Sequence, residues 1–212
     1  MASNKPGWYK YAMIASLYVG LYMVFIGEQY LVKMIEVEKA LNENFFSEDV
    51  AAKAESRGSR WFKASFVDTY IMAHSFEPFI PTEEEMRNAK GMEGFGKPIF
   101  DWFEGRMRAW WTLVWSAYVR LSTALLWAPY AIFMLTPWSV DGLVEREKAK
   151  YTFKFASPVK HRYALMALGI LPLLFLILIT APIAMHPMVM PLLLLGAGFL
   201  MCQGLANFMK RA

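Results

Sequence analysis

The chain reads as an all-α, polytopic membrane protein, on three observations. From Tyr163 to Phe208 there is no Asp, Glu, Lys or Arg. A helix needs about 20 apolar residues to cross a bilayer, so this stretch is two crossings joined by a turn. The 212 residues are 57% hydrophobic, above the roughly 45–50% of soluble domains, and the excess is gathered in blocks, as spans require. No segment shows the strict alternation of a strand. The predicted architecture is four transmembrane helices with a helical extracytoplasmic insertion between spans one and two.

Residues 1–27 are predicted to be a short cytoplasmic tail and the first span, over 9–27. Lys5 and Lys10 before the apolar block Tyr11–Gly27 imitate a secretory signal. Large residues at Tyr22, Met23, Phe25 and Ile26 spoil a cleavage site, so the block reads as an uncleaved anchor. Residues 28–97 carry helical patterning. Ser47 stands as an N-cap before Glu48 and Asp49, which suit the positive helix end. Val50, Ala54, Trp61, Phe62, Ser65, Phe66 and Tyr70 then recur at helical spacing. Thr82 with Glu85 forms a capping box, and the following helix stops at Gly91, Gly94 and Gly96.

Pro98 suits the first turn of a helix over 98–138. Its stripe of Phe103, Met107, Trp110, Trp111, Val114 and Tyr118 predicts an amphipathic section along the membrane surface that continues into span two. Trp102, Trp110, Trp111 and Trp115 are expected at headgroup depth, and Trp138 at the opposite interface. Residues 139–162 read as a basic loop. Residues 163–212 read as a hairpin with spans over 163–181 and 188–208, interrupted by Pro182 and Pro187, and a short basic tail.

Orientation follows from Lys and Arg in short segments. Lys5 and Lys10, then Arg146, Lys148, Lys150, Lys154, Lys160 and Arg162, then Lys210 and Arg211 all fall on one side of a four-span chain. Both termini are therefore expected in the cytoplasm, with 28–97 outside. The net charge of +4 is spread along the chain, so no electrostatic footprint for nucleic acid is expected. The one cysteine, Cys202, allows neither a disulfide within the chain nor a cysteine metal cluster.

Candidate chemistry is sparse. Gly91 to Pro98 spell Gly-Met-Glu-Gly-Phe-Gly-Lys-Pro, one residue short of a phosphate-binding loop, but Pro98 stands where a magnesium ligand is needed. His74, His161 and His186 fall in three separate segments, and Glu83, Glu84 and Glu85 read as a helix first turn. No catalytic, cofactor or metal site is assigned, and an enzyme is not expected. Gly196, Gly198 and Gly204 are read as a helix-packing surface in span four.

Arg120 has two readings. A span beginning near Ala109 buries it in the bilayer, where it needs a partner: Gln203, a hydroxyl such as Ser16 or Thr180, a carbonyl, or another subunit. A span beginning at Leu121 leaves it at the interface, reaching for a lipid phosphate; this is the preferred reading. The densest polar feature is the loop, with Asp141, Gly142, Arg146, Lys148, Lys150, Tyr151, Phe153, Phe155, Ser157 and Pro158 as a candidate interaction surface. Anionic lipid accounts for its basic residues, and a protein partner is the functional alternative.

Asp141-Gly142-Leu143-Val144, a charged run, Tyr-Thr-Phe-x-Phe-x-Ser-Pro-Val, and two hydrophobic helices ending in Ala206-Asn207 and Lys210-Arg211 resemble the DUF4400 family over residues 98–212. Glu145 and Glu147 depart from the basic residues expected there, which weakens a pure lipid-charge role. The resemblance implies an inner-membrane protein of integrative conjugative elements and conjugative plasmids in Gram-negative bacteria, encoded near the coupling ATPase of type IV secretion. It implies a non-enzymatic component or accessory of the transfer apparatus, bound to that ATPase or to the channel, with membrane lipids and a second copy as further partners. An exclusion or envelope-interaction role for 28–108, and a small transporter or channel, are the alternatives. The lack of acids in the spans and of internal repeats stands against transport.

Overall fold

The computed structural model describes Met13, Leu17, Gly20 and residues 25–76, 97–152 and 155–208. The expected first span, the Thr82–Glu85 capping box, the glycine cluster at 91–96, Phe153 and the basic tail at Lys210 and Arg211 lie outside or largely outside these residues. Every regular element among the described residues is helical. We number the α-helices α1 (Glu28–Phe46), α2 (Glu48–Phe62), α3 (Ile71–Phe76), α4 (Lys97–Ala124), α5 (Ala128–Tyr151), α6 (Pro158–Thr180) and α7 (Val189–Ala206). A π-helical turn, Lys63–Val67, follows α2, and a 3-10 turn, Leu125–Trp127, joins α4 to α5.

Three helical stretches are long and apolar enough to cross a membrane: Phe100–Tyr151, Pro158–Thr180 and Val189–Ala206. Against the four spans expected, three stand among the described residues; the expected first span, 9–27, lies largely outside them. The first stretch has 52 residues, about 78 Å at 1.5 Å per residue, against a hydrocarbon core of about 30 Å. Much of it must therefore stand outside the bilayer. Apolar matching puts Leu121 to Val140 beside the uncharged parts of α6 and α7.

The part before Arg120 is covered by other helices. Small residues Ala51, Ala54 and Gly58 are buried on α2 and let α4 approach closely. A Cβ on Gly58 would lie 2.6 Å from the Val119 Cα. Arg57 donates to the Ser122 Oγ at 2.9 Å and to its carbonyl at 2.6 Å, while Ser122 donates to the Ala54 carbonyl. Beyond this, Phe62, Phe66, Trp111 and Tyr118 form a mostly edge-to-face cluster, a geometry that aromatic rings prefer. On the other side, Leu31 and Met34 of α1 pack on Ala109 and Leu113 of α4.

Two expectations change here. Trp111 is buried and its indole N–H donates to Ser75, while that of Trp115 donates to Ser59. These rings hold α4 to α2 and α3 instead of facing lipid headgroups. Ser47 does mark the boundary before α2, but its side chain makes no cap bond. It adopts φ 79°, and its N–H closes α1 on the Glu43 carbonyl.

The 139–162 loop is mostly helix. After Pro137, the run Leu143 to Lys150 consists largely of good helix formers. Ion pairs Glu145–Lys148 and Glu147–Lys150 sit at i,i+3 spacing, and both lysines favour the negative helix end. The helix therefore continues to Tyr151 and only residues 152–157 connect it to α6. In the hydrophobic part, α7 packs against both α5 and α6.

Candidate functional site

Arg120 lies on the face of α4 that meets both α1 and the turn after α6, and it is 1% exposed. Its Nε donates to both Glu38 oxygens at 2.9 and 3.0 Å, and its Nη2 to Glu38 Oε2 at 2.6 Å. Nη1 donates to the carbonyls of Ile179 at 3.0 Å and Ala181 at 2.5 Å, with Leu178 at 3.4 Å. Nη2 also reaches the Ile183 carbonyl at 2.6 Å. The guanidinium fork suits this task, since it offers five donors in one plane. The last carbonyls of a helix lack intrahelical partners and carry its negative dipole end, so Arg120 caps α6 as well as pairing with Glu38.

Glu38 is 7% exposed and accepts a further bond from the Met185 backbone N–H at 3.3 Å. Tyr30, two turns before it on α1, donates to the Pro182 carbonyl at 3.0 Å. The turn at 181–187 is thus tied to α1 along its length, and α4 is locked to both. A buried charge is tolerable only when paired and hydrogen-bonded, and this one is saturated.

Of the expected partners for Arg120, the carbonyl option is realised. Lipid phosphate is not, because Arg120 is enclosed; Glu38 takes that place. The pair has a legible sequence signal: Leu31, Met34 and Glu38 share the buried stripe of α1, and an acid on an apolar stripe asks for a cation.

The opposite end of the bundle holds the predicted interaction residues, and the structure divides them. Gly142 is buried in the α5–α7 contact, where an added Cβ would lie 2.8 Å from the Cys202 carbonyl. It is a packing residue, not part of an outer surface. Asp141 accepts from the Cys202 Sγ at 3.6 Å. Arg146 lies over the Phe208 ring at 5.0 Å. Ser157 caps α6 by accepting from the Lys160 N–H, its own N–H meets Asn207 Oδ1, and Pro158 is the first helical residue. Lys148 and Lys150 are exposed but paired with Glu145 and Glu147. Tyr151 and Phe155 remain open, at 77% and 99% exposure.

The packing glycines divide too. A Cβ on Gly198 would collide with the Trp138 ring, and one on Gly204 would touch Ala164 and Leu165 at 3.9 Å. A Cβ on Gly196 would meet nothing within 4 Å, so Gly196 is not a packing position.

The comparison with known families is decided by extent. Residues 25–210 match the family described as IncC plasmid conjugative DNA transfer protein DtrJ-like. The chain belongs to the DtrJ-like family. The match takes in all the helices described above, from α1 to α7. It ties the chain to conjugative DNA transfer, the setting the DUF4400 resemblance implied, under a different family name. No curated protein and no solved structure matches the chain.

Proposed function

We propose that this DtrJ-like chain is a non-enzymatic inner-membrane component of a conjugative type IV secretion apparatus. Its cytoplasmic end binds a partner protein, with the coupling ATPase as the leading partner. In this reading both termini are cytoplasmic, and the helical unit of α1 to α3 and the first part of α4 stands on the periplasmic side. The supporting observation is Phe155, a fully exposed aromatic ring, next to exposed Tyr151 and between basic helix ends carrying Lys148, Lys150, Lys160 and Arg162. Exposed aromatic residues suit a protein interface, where they are enriched, and the basic helix ends suit an acidic partner surface.

The test is a mating assay. The gene is deleted from its conjugative element and complemented with wild type or with Y151D/F155D. The reading expects deletion to abolish donor transfer and the double variant to fail at normal protein level, with loss of the ATPase on co-purification. Unchanged transfer on deletion sinks the reading.

A further inference from the structure

We propose that a hollow at the start of α1 binds the headgroup of a phospholipid that carries both a phosphate and a primary ammonium. The hollow measures about 330 Å³ and lies between the first turn of α1, from Gly27 to Gln29, and Asp101, Trp102 and Arg106 of α4.

Arg106 is the anomaly in it. The side chain is part-buried, and its Nη1 is closed to solvent without a hydrogen-bond acceptor. Gly27 stands against that nitrogen, since a Cβ there would lie 3.7 Å from it. The guanidinium rests 5.4 Å from the centre of the Trp102 ring. Among the described residues it forms no ion pair, although Glu28 and Asp101 line the same hollow. Arg57, Arg108 and Arg120 all have acceptors. A guanidinium offers five N–H donors, and a charge withdrawn from water without a counter-charge is costly. A bound anion removes that cost.

The charges around the hollow select the ligand. Gly27 gives α1 no side-chain cap, so the first amides of that helix add to the pull of Arg106 on an anion. Glu28 and Asp101 are exposed. They oppose a ligand of net negative charge and can accept hydrogen bonds from an ammonium. One phosphate and one ammonium on the same molecule satisfy both sides. A primary ammonium has N–H donors for the carboxylates. A quaternary one has none and relies on aromatic faces, and the Trp102 ring is already engaged by Arg106.

The bilayer is the source. The apolar block read as the first span ends at Gly27, so in the proposed topology the hollow stands where the chain leaves the membrane. Phe25 and Trp102 beside it are 75% and 48% exposed. Aromatic rings next to charges suit the headgroup layer.

The site rests on that topology and on no partner protein, so its test reads lipid and not transfer. Full-length protein is stripped of lipid in detergent and titrated with palmitoyl-oleoyl phosphatidylethanolamine, phosphatidylcholine and phosphatidylglycerol, and adducts are read by native mass spectrometry. Wild type is expected to bind the ethanolamine lipid about tenfold more tightly than the other two. R60Q removes an exposed cation of α2 that is not part of the hollow and is expected to behave as wild type. R106Q is expected to lose about tenfold in affinity for the ethanolamine lipid, and E28Q/D101N to lose the preference over phosphatidylglycerol. Equal affinities for the three lipids in wild type overturn the site, as does an R60Q loss equal to that of R106Q. Glu28 and Asp101 are exposed, so E28Q/D101N carries the test if R106Q does not fold, and an unchanged preference in it overturns the proposal. A last arm titrates soluble phosphoethanolamine, which is expected to bind at least a hundredfold more weakly than the lipid. Equal binding would make a free phosphate ester the ligand and overturn the lipid.

Discussion

Arg120 and Glu38 are 82 residues apart in sequence, and their side chains meet at 2.6 Å in a site closed to solvent. The pair joins α1 to α4, and through the carbonyls of 178–183 it joins both to the membrane hairpin. Removing one partner leaves the other buried without compensation, which costs about 3–5 kcal/mol. E38L and R120M are each expected to lower stability by about that amount, and the double variant E38L/R120M by clearly less than the sum. Denaturant unfolding in detergent followed by circular dichroism checks this, and additive losses would contradict the pairing.

The glycines give a graded prediction. G58A and G142A each force a Cβ onto a neighbouring helix backbone, so each is expected to destabilise by about 1–3 kcal/mol through overpacking. G196A, with open space around it, is expected to change stability little or to raise it by up to about 1 kcal/mol, since Ala is the better helix former. Thermal melts of the three variants side by side test the order.

Ser47 holds φ 79° without a side-chain cap bond. A non-glycine residue in such a region costs about 1–3 kcal/mol, partly offset on substitution by the greater freedom of glycine in the unfolded chain. S47G is expected to raise the melting temperature. S47A is expected to escape the usual loss of about 1 kcal/mol for an N-cap. A clear loss in S47A would show a cap bond in solution.

Phe155 and Tyr151 bear on function and not on stability. F155D, at a fully exposed position, is expected to shift stability by no more than about 0.5 kcal/mol while reducing conjugative transfer. R146A, by contrast, removes a cation from the Phe208 ring, a contact of about 0.5–1 kcal/mol when exposed. Melting curves and mating counts on the same variants separate the two effects.

How far the sequence reveals this molecule depends on how local each signal is. The hairpin of α6 and α7 was legible because charge is absent from it, and the turn because of Pro182 and Pro187. The stripe marked a helix from Lys97 onward, but not the 3-10 turn at Leu125–Trp127 or the packing of Trp111 against Phe62 and Ser75. The Ser157 cap and Pro158 start of α6 were instead taken for an interaction surface, since a Ser-Pro pair looks the same in both roles. The helical continuation to Tyr151 was missed because charged residues between two spans read as loop, although their i,i+3 pairs favour helix. The roles of Gly142 and Gly196 could not be separated, because a glycine carries no mark of which helix approaches it. Glu38 was the costliest omission: its partner is distant in sequence, and only its place on the stripe of Leu31 and Met34 hinted at it.

The Arg120 junction also bears on how the protein is made. Glu38 leaves the ribosome early, Arg120 later, and the carbonyls of 178–183 near the end of synthesis. Until the turn after α6 is in place, the guanidinium has Glu38 but lacks the carbonyls of 178–183. Assembly is therefore completed by its final segment, and a chain cut short before Leu178 presents an open, charged cleft that proteolytic surveillance can recognise.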